Sequence, residues 1–311
     1  MPTTAVAHPN IALCKYWGKR DRALNLPTNS SLSLTLSPFR TRTTVTWDVE
    51  RDEVWLNGAR TDDAKVLRVL DLVRPGRPPA KVESENDFPT AAGLASSSSG
   101  FAALVLAADP ERPLDELAVL ARRGSGSATR SLHGGWVRWD RGERADGLDS
   151  RGVPVAPAEH WDVRMVVAIV GGAPKDTSST DGMVHTQATS PYFGAWAVAA
   201  QADVPEAEAA VLARDLERLG RVAERSSLRM HASMFAADPP VIYWRPASML
   251  VMEGVRGLRK AGVSCWATMD AGPNVKVLCE ARDADAVAAM LRQVTERVEV
   301  LEPGGPARIV A

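Results

Sequence analysis

Small and hydroxyl-bearing residues are concentrated between positions 87 and 100. This stretch contains Gly93 and four consecutive serines, Ser96, Ser97, Ser98 and Ser99. Small side chains let backbone N–H groups approach a polyphosphate, hydroxyls add donors, and a helix beginning here adds partial positive charge. The apolar run 101–108 follows at once and predicts a buried helix that anchors the loop. The pattern therefore predicts an ATP cradle, although a serine-rich linker without a ligand is the alternative.

A second candidate for anion binding lies at positions 125–135. It combines the hydroxyls of Ser125 and Ser127 with Gly126 and Arg130, directly before a predicted strand. A planar guanidinium held beside serine donors suits a carboxylate or a phosphate. An ordinary glycine-rich loop with an exposed arginine is the alternative, and His133 is assigned a structural role.

Two charged residues lie where predicted strands give way to turns. Asp270 follows the apolar strand 265–269 and precedes Ala-Gly-Pro, so its side chain can point into a cleft beside a ligand. A simple turn former is the alternative for this aspartate. Lys19 follows an aromatic strand end, where a lysine either binds a phosphate or is solvated.

The elements that must position these residues are predicted from hydrophobic periodicity. In the first half, Leu32, Leu34 and Leu36 alternate with Ser33 and Thr35, which predicts a half-buried strand. The other predicted elements there are a strand-rich segment 5–17, a hairpin of 41–47 and 53–56, a helix 62–73, a strand 81–85, a helix 114–123 and a strand 136–139.

The second half is predicted to form a smaller α+β unit. Its elements are a buried strand 161–170, a hydroxyl-rich loop 171–182, helices 206–225 and 248–261, strands 265–269 and 275–279, a helix 283–291 and a strand 298–301. We place a domain boundary near the start of this loop, which gives domains 1–172 and 173–311.

Composition excludes several classes of protein. The chain has 311 residues, 45% hydrophobic and 24% charged, so a globular protein is expected rather than a disordered one. A net charge of −1 indicates no nucleic-acid or membrane-surface partner. Three widely spaced cysteines, Cys14, Cys265 and Cys279, have no metal-ligand spacing and predict reduced, buried thiols. Without a long apolar run or a signal-peptide pattern, the expected location is the cytoplasm. The sequence has no cluster of His, Cys and carboxylate ligands, so no resident metal site is expected.

Several polar loops together with one carboxylate turn suggest phosphoryl transfer. That chemistry needs a nucleotide cradle, cations to offset charge on the moving group, and a carboxylate to orient or deprotonate the acceptor hydroxyl. The segments described above provide a candidate for each part.

The motifs resemble those of the mevalonate diphosphate decarboxylases, a family of the GHMP kinase superfamily. The resemblance covers nearly the whole chain, and the stretches that carry it are 10–21, 26–33, 88–97, 125–132, 175–183, 230–232 and 270–274. The cradle alone indicates the superfamily, whereas the full set is specific to the decarboxylases. The resemblance implies an α+β GHMP kinase fold, with an N-terminal α+β domain, a ferredoxin-like C-terminal α+β domain and the active site in the cleft between them.

The resemblance also implies a reaction. ATP with Mg²⁺ is the co-substrate, and the tertiary 3-hydroxyl of mevalonate 5-diphosphate is phosphorylated. Loss of that phosphate accompanies loss of the carboxylate as CO₂, which gives isopentenyl diphosphate, ADP and phosphate. Phosphorylation makes a good leaving group, and decarboxylation supplies the electrons of the new double bond. A homodimer is also implied.

Residue by residue, the resemblance places Asp270 at the 3-hydroxyl as base or orienting group, Lys19 near it and near the phosphoryl path, and Arg130 at the substrate carboxylate. Further substrate contacts are expected from Tyr16, Trp17, Gly18, Ser125, Gly126, Ser127, Ser179 and Thr180, and from Lys65, which matches a family arginine. Gly93 and Ser96 to Ser99 are expected to cradle the ATP phosphates. The departures are Ser98 and Ser99 where alanines are common, His133 where an aromatic is usual, and Thr180 where some members carry a basic residue.

Two alternatives on the same scaffold stay open, a decarboxylase of mevalonate 5-phosphate and a mevalonate 3-kinase that stops after phosphoryl transfer. A non-catalytic nucleotide-binding protein is the alternative of a different class. Retention of Asp270, Lys19 and Arg130 argues against it.

Overall fold

A computed structural model describes residues 1–88, 96–171 and 177–310. The strands in these residues are β1 (Thr3–Ala7), β2 (Asn10–Cys14), β3 (Lys19–Asp21), β4 (Leu26–Pro27), β5 (Ser31–Ser37), β6 (Thr41–Trp47), β7 (Glu53–Leu56), β8 (Ala59–Thr61), β9 (Ala80–Asn86), β10 (Trp136–Trp139), β11 (Gly152–Ala156), β12 (Val163–Ala168), β13 (Cys265–Met269), β14 (Val275–Glu280), β15 (Val298–Pro303) and β16 (Arg308–Val310). The helices are α1 (Ala64–Val73), α2 (Ser96–Ala108), α3 (Leu114–Gly124), α4 (Ala128–Ser131), α5 (Ser179–Thr189), α6 (Phe193–Ala213), α7 (Leu216–Phe235), α8 (Pro246–Lys260) and α9 (Ala284–Arg292).

The first sheet has the strand order β16-β1-β6-β9-β7-β8. Helix α2 packs on it and is apolar on every side, with Phe101 to Ala108 all buried, as expected for a helix inside the core. Helices α1 and α3 complete the layer. Burial of α2 fixes the position of its first residues, the serines of the predicted cradle.

The second sheet has the order β11-β10-β5-β15-β12-β14-β13, and β2 also pairs with β5. Side chains that alternate along β12 pack on α6 and α7 on one face and on α8 and α9 on the other. This sheet runs without a break from strands early in the chain to β12–β15, and β16 returns to pair with β1. The domain boundary at 172/173 falls among undescribed residues and stays a prediction.

Strand β5 is buried on both faces, so the prediction of a half-buried strand was wrong. Leu32, Leu34 and Leu36 face the core, but Ser33 and Thr35 are also fully buried. Strand β5 pairs with β2 and β10 and lies near the short helix α4. In β5, the polar residues of the alternating pattern therefore face the interior of the protein rather than solvent.

The predicted hairpin of 41–47 and 53–56 was also wrong. Strand β9 lies between β6 and β7, antiparallel to the first and parallel to the second. The actual hairpin joins β7 to β8 through Asn57 and Gly58, whose φ angles of 49° and 78° suit a tight two-residue turn. The long, seven-residue pairing of β6 with β9 outweighs the shorter local pairing.

The predicted helix 206–225 is two helices. Helix α6 begins at Phe193 and passes through Pro205, and the chain then turns at Arg214, which adopts a left-handed conformation with φ of 55°. Asp215 caps α7 by accepting a hydrogen bond from the backbone N–H of Arg218. The single predicted helix was therefore wrong, because Pro205 lies inside α6 and Asp215 begins a second helix within the predicted range.

Other elements agree with the predictions. Strands β13 and β14 pair as expected, and all three cysteines are buried and unpaired. In the described part of the chain, no helix combines the length and apolar character needed to cross a membrane.

Candidate active site

Asp270 lies at the turn between β13 and β14 and forms ion pairs with two lysines. Its Oδ1 is 2.6 Å from Nζ of Lys15, and its Oδ2 is 3.3 Å from Nζ of Lys276. Both lysine side chains are 1% exposed, whereas the aspartate side chain is 31% exposed. The carboxylate is thus held from behind by two buried ammonium groups and open on its outer side.

The two lysines keep this carboxylate ionised. Burial acts to raise the pKa of Asp270, but the charges and hydrogen bonds of Lys15 and Lys276 outweigh it, and the pKa lies far below its usual range. Burial also lowers the pKa of Lys15, which the charge of Asp270 opposes only in part. An ionised Asp270 can accept a hydrogen bond from a substrate hydroxyl over the whole neutral pH range.

Sequence reasoning missed both lysine partners, although each left a signal. Lys15 directly follows the apolar strand β2, and Lys276 interrupts the apolar strand β14. A lysine at a buried strand position needs a partner of opposite charge. For both lysines that partner is the carboxylate of Asp270.

Lys19 occupies a different position from Lys15. The backbone N–H of Lys19 donates to Oε1 of Gln187 on α5, and its carbonyl accepts from Nε2 of the same side chain, both at 3.1 Å. Burial lowers the pKa of the Lys19 ammonium, and the nearby charges of Lys65 and Arg22 lower it further. Within the described residues, the lysines in ion-pair contact with Asp270 are therefore Lys15 and Lys276, and Lys19 belongs to a cationic group with Lys65.

Gly18 shapes the turn that carries Lys19. Its φ is 109°, a backbone conformation that disfavours other residues, and a Cβ there would lie 2.5 Å from the ring of Phe193. Both the backbone conformation and the lack of space therefore disfavour a larger residue at this position.

Lys65 is exposed near the start of α1, where Asp63 caps the helix.

Arg130 is 3% exposed and tightly held. Its Nε donates to Oδ1 of Asn10 at 3.1 Å, and its Nη1 donates to Oγ of Ser31 at 2.6 Å. The guanidinium lies 5.7 Å from the ring centre of Trp139. Burial lowers the pKa of Arg130 to about 10, so it stays charged at neutral pH. Asn10, which sequence reasoning did not single out, orients this cation.

Aromatic side chains line the region around Arg130. The ring of Tyr16 lies 4.7 Å from that of Trp139, and its buried hydroxyl has no hydrogen-bond partner among the described residues. A Cβ on Gly126 would lie 2.7 Å from Trp139, which explains the glycine. Trp17 was expected at the substrate, but its side chain is 1% exposed and packs against Tyr243 in the core.

The serine clusters meet at the start of α2. Oγ of Ser97 lies 3.1 Å from Oγ of Ser125, which lies 3.4 Å from Oγ of Ser127. The first predicted anion loop therefore contacts the second.

The four cradle serines do not share one orientation. Ser96 is half-buried and Ser97 exposed, whereas Ser98 and Ser99 are fully buried. The hydroxyl of Ser99 lies 2.6 Å from that of Thr41 on β6. The expectation that all four hydroxyls face a ligand is corrected accordingly, because the helical repeat turns the last two toward the sheet. Gly93 lies outside the described residues.

Ser179 and Thr180 begin helix α5, so this part of the predicted loop 171–182 is helical. Ser178 caps the helix by accepting from the backbone N–H of Asp181. Ser179 is half-buried and Thr180 exposed, at a helix N-terminus that favours anions.

A cavity of about 180 Å³ lies beside the cradle. It is lined by Ser96, Ser97 and Phe101 of α2, by Trp55 of β7 and by Val66 of α1.

Among the described residues, no group of three or more His, Cys, Asp or Glu side chains could hold a metal ion.

Family models match most of the chain. The diphosphomevalonate decarboxylase-like N-terminal domain matches residues 7–152, and the mevalonate 5-diphosphate decarboxylase C-terminal domain matches residues 165–303. A diphosphomevalonate decarboxylase of Aspergillus fumigatus is 41% identical over 94% of this chain and 80% of its own length.

Solved structures give the same result. Mevalonate diphosphate decarboxylase from Staphylococcus aureus is 38% identical, with a TM-score of 0.93 over 100% of this chain and 98% of its own. A structure described as MDDEF in complex with MVAPP, AMPPCP and magnesium is 40% identical, with a TM-score of 0.92 over 100% and 99% of the two chains. The fold is the GHMP kinase fold of these structures, and the chain belongs to the diphosphomevalonate decarboxylase family.

Proposed function

We propose that this protein catalyses the ATP-dependent decarboxylation of mevalonate 5-diphosphate to isopentenyl diphosphate, with release of ADP, phosphate and CO₂. Family membership supports the reaction, and one observation in the site carries the assignment of residues. Asp270 is an ionised carboxylate with an open outer side, and the buried cation Arg130 is close enough to affect it electrostatically. A hydroxyl acceptor and a substrate carboxylate thus each have a complementary group.

In the first step, the carboxylate of Asp270 accepts a hydrogen bond from the 3-hydroxyl and orients its oxygen toward the γ-phosphorus of ATP. Lys15 holds Oδ1 through the bond at 2.6 Å, so the carboxylate does not have to reorganise during the reaction. With so low a pKa, Asp270 orients the hydroxyl more effectively than it removes a proton before transfer. The hydroxyl proton passes to the Asp270 carboxylate only as the bond from oxygen to phosphorus forms and the hydroxyl becomes acidic.

In the second step, the new phosphate leaves carbon 3 and takes the electrons of the C–O bond. The bond between the carboxylate and the adjacent carbon breaks, CO₂ departs, and that electron pair forms the double bond. Within the described residues, Nη2 of Arg130 has no hydrogen-bond partner, so it is available to hold the substrate carboxylate in line. The diphosphate is proposed to contact Tyr16, Gly18, Ser125, Gly126, Ser127, Ser179 and Thr180.

ATP is proposed to lie along the start of α2. Ser96 and Ser97 would contact its phosphates, together with Gly93, and the cavity beside them would hold the base between Trp55 and Val66. Lys19 and Lys65 would offset phosphate charge. Mg²⁺ would accompany ATP, since a related structure is a complex with both AMPPCP and magnesium, and it would neutralise charge on the phosphates.

A stoichiometric assay tests the proposal. The purified protein is incubated with Mg-ATP and, separately, with mevalonate, mevalonate 5-phosphate and mevalonate 5-diphosphate, and ADP and CO₂ are measured. Equal amounts of both products from the diphosphate alone are expected. ADP without CO₂ would instead identify a 3-kinase, preference for the monophosphate would identify the related decarboxylase, and no product would indicate a nucleotide-binding protein.

The cytoplasm is the proposed location, in keeping with three unpaired cysteines. A homodimer and the division into domains 1–172 and 173–311 are part of the same proposal.

A further inference from the structure

Lys276 is a buried lysine that the reaction steps proposed above do not use. It lies in β14 between Val275 and Val277, both fully buried, and its side chain is 1% exposed. A buried ammonium group is costly unless it is paired, and the partner here is Oδ2 of Asp270 at 3.3 Å. The one partner of this buried charge in the described structure is therefore the carboxylate proposed to orient the substrate hydroxyl.

The contact has a geometric consequence for Asp270. Lys15 alone would hold one carboxylate oxygen and leave the carboxylate free to rotate about its bond to Cβ. With Lys276 at the second oxygen, both oxygens are held and the plane of the carboxylate is defined. The two lysines come from different elements, the end of β2 and the interior of β14, so their positions are set independently by the sheet.

We propose that Lys276 is a positioning residue for the reaction, which fixes the plane and the charge of the Asp270 carboxylate from the side opposite to the substrate. Its own side chain is too buried to contact a substrate, so it acts through Asp270. This inference rests on the proposed function, in which Asp270 meets the 3-hydroxyl.

Other titratable groups also interact electrostatically with Asp270 and must be considered together with Lys276. They are Lys15 at the end of β2, Arg130 on α4 and His231 on α7. Burial lowers the pKa of His231 to about 3, so this side chain is neutral at working pH. Lys15 and Arg130 remain in a Lys276 variant, and the expected change is therefore a partial one.

The test compares Lys276→Met with Lys276→Arg and with Thr268→Val. Thr268 is the cross-strand neighbour of Lys276, and its buried hydroxyl has no hydrogen-bond partner within the described residues, so the valine variant is a control for packing at the same place. For each variant, kcat and KM are measured with mevalonate 5-diphosphate at neutral pH by release of ADP and CO₂.

In Lys276→Met, we expect kcat to fall about tenfold or more while KM changes little, because the substrate still binds but the carboxylate is no longer held at both oxygens. Lys276→Arg should recover part of kcat, since it keeps the positive charge, and Thr268→Val should match the parent protein. A methionine variant with the parent kcat would overturn the proposal, as would equal effects of the methionine and arginine variants.

A second measurement does not depend on turnover. The side-chain carboxyl carbon of Asp270 is followed by ¹³C NMR, with its resonance assigned by its loss in Asp270→Asn. At neutral pH its chemical shift should differ between Lys276→Met and the parent protein and stay unchanged in Thr268→Val, and an unchanged shift in Lys276→Met would contradict the inference. If the methionine variant does not fold, Lys276→Gln is measured in the same way. An inactive parent protein in which the resonance still moves on substitution of Lys276 would reject the proposed function but retain the contact, whereas an active parent without movement would reject the inference alone.

Discussion

The side-chain amide of Gln187 forms two hydrogen bonds with the backbone of Lys19, one in each direction and both at 3.1 Å. Gln187 lies on α5, the helix that begins with Ser179 and Thr180, and Lys19 begins β3. One side chain therefore connects the helix proposed to contact the substrate with the turn that carries a proposed catalytic lysine. The relative position of these two groups depends on this amide.

Replacing Gln187 by glutamate should weaken that connection. A carboxylate can accept from the Lys19 N–H but cannot donate to the Lys19 carbonyl, so one bond is lost and two acceptors face each other. We expect kcat/KM for mevalonate 5-diphosphate to fall about fivefold, the equivalent of about 1 kcal/mol for one partly exposed hydrogen bond. Gln293→Glu, at the exposed end of α9, is the control and should leave the value unchanged. Equal values for both variants would show that the amide does not position Lys19.

Replacing Asp270 by asparagine should remove most activity. The amide has nearly the same shape but lacks the charge that orients the hydroxyl, so kcat should fall about a hundredfold or more. ADP and CO₂ should decrease together, because phosphorylation precedes decarboxylation. The exposed Asp285→Asn on α9 is the matched control. Full activity of the Asp270 variant would exclude the proposed role of this carboxylate.

The hydroxyl pair of Ser97 and Ser125 should be detectable in a double-mutant cycle. Ser97→Ala should mainly raise KM for ATP, and Ser125→Ala should mainly raise KM for the organic substrate, since each belongs to a different loop. The hydroxyls are 3.1 Å apart, so the double variant should lose less than the two single losses combined. Strict additivity would indicate that the two loops act independently.

The close contact of Gly220 with Trp266 predicts a stability effect. A Cβ on Gly220 in α7 would lie 1.9 Å from the indole ring, so Gly220→Ala should destabilise the protein by about 1–3 kcal/mol through overpacking. Gly257→Ala in α8 meets nothing within 4 Å and should stabilise by up to about 1 kcal/mol through helix propensity. Urea unfolding followed by circular dichroism compares the two. A Gly220 variant as stable as the parent would mean that the indole moves without cost.

His231 predicts a pH dependence of stability. Burial, aided by the charge of Lys15, lowers its pKa from 6.5 to about 3 in the folded protein. The unfolded chain therefore binds an additional proton between these pH values, so the contribution of His231 is complete above pH 6.5 and is lost as the pH falls toward 3. At one proton the slope is about 1.4 kcal/mol per pH unit.

A His231→Phe variant should remove this contribution, since the new ring would lie beside Phe235 and Trp244 without a titrating group. Between pH 7 and pH 5, the parent should lose about 2 kcal/mol more unfolding free energy than the variant, as calculated from one proton over the titrating interval. Urea unfolding at the two pH values measures the difference. Parallel losses would show that His231 is not the group responsible.

The sequence by itself identified the parts that depend on local pattern. The apolar run after Ser99 predicted the buried helix α2, and the alternation and turn chemistry around Asp270 predicted β13, the turn and β14. The family was recognised from residue motifs and was confirmed by the family models. These features are determined within about ten residues, where periodicity, capping and turn preferences act.

Only the tertiary structure decided which charges meet. Lys15 and Asp270 are 255 positions apart, and although the apolar strand before Lys15 indicates a buried lysine, no local rule brings the two side chains together. The same holds for β9, which separates β6 from β7, and for the burial of Ser33, Thr35, Ser98 and Ser99. Sheet pairing and packing over the whole chain set these relationships. The free energy of a buried ion pair or of a strand pairing depends on the partner group and the surrounding side chains, which come from distant parts of the sequence.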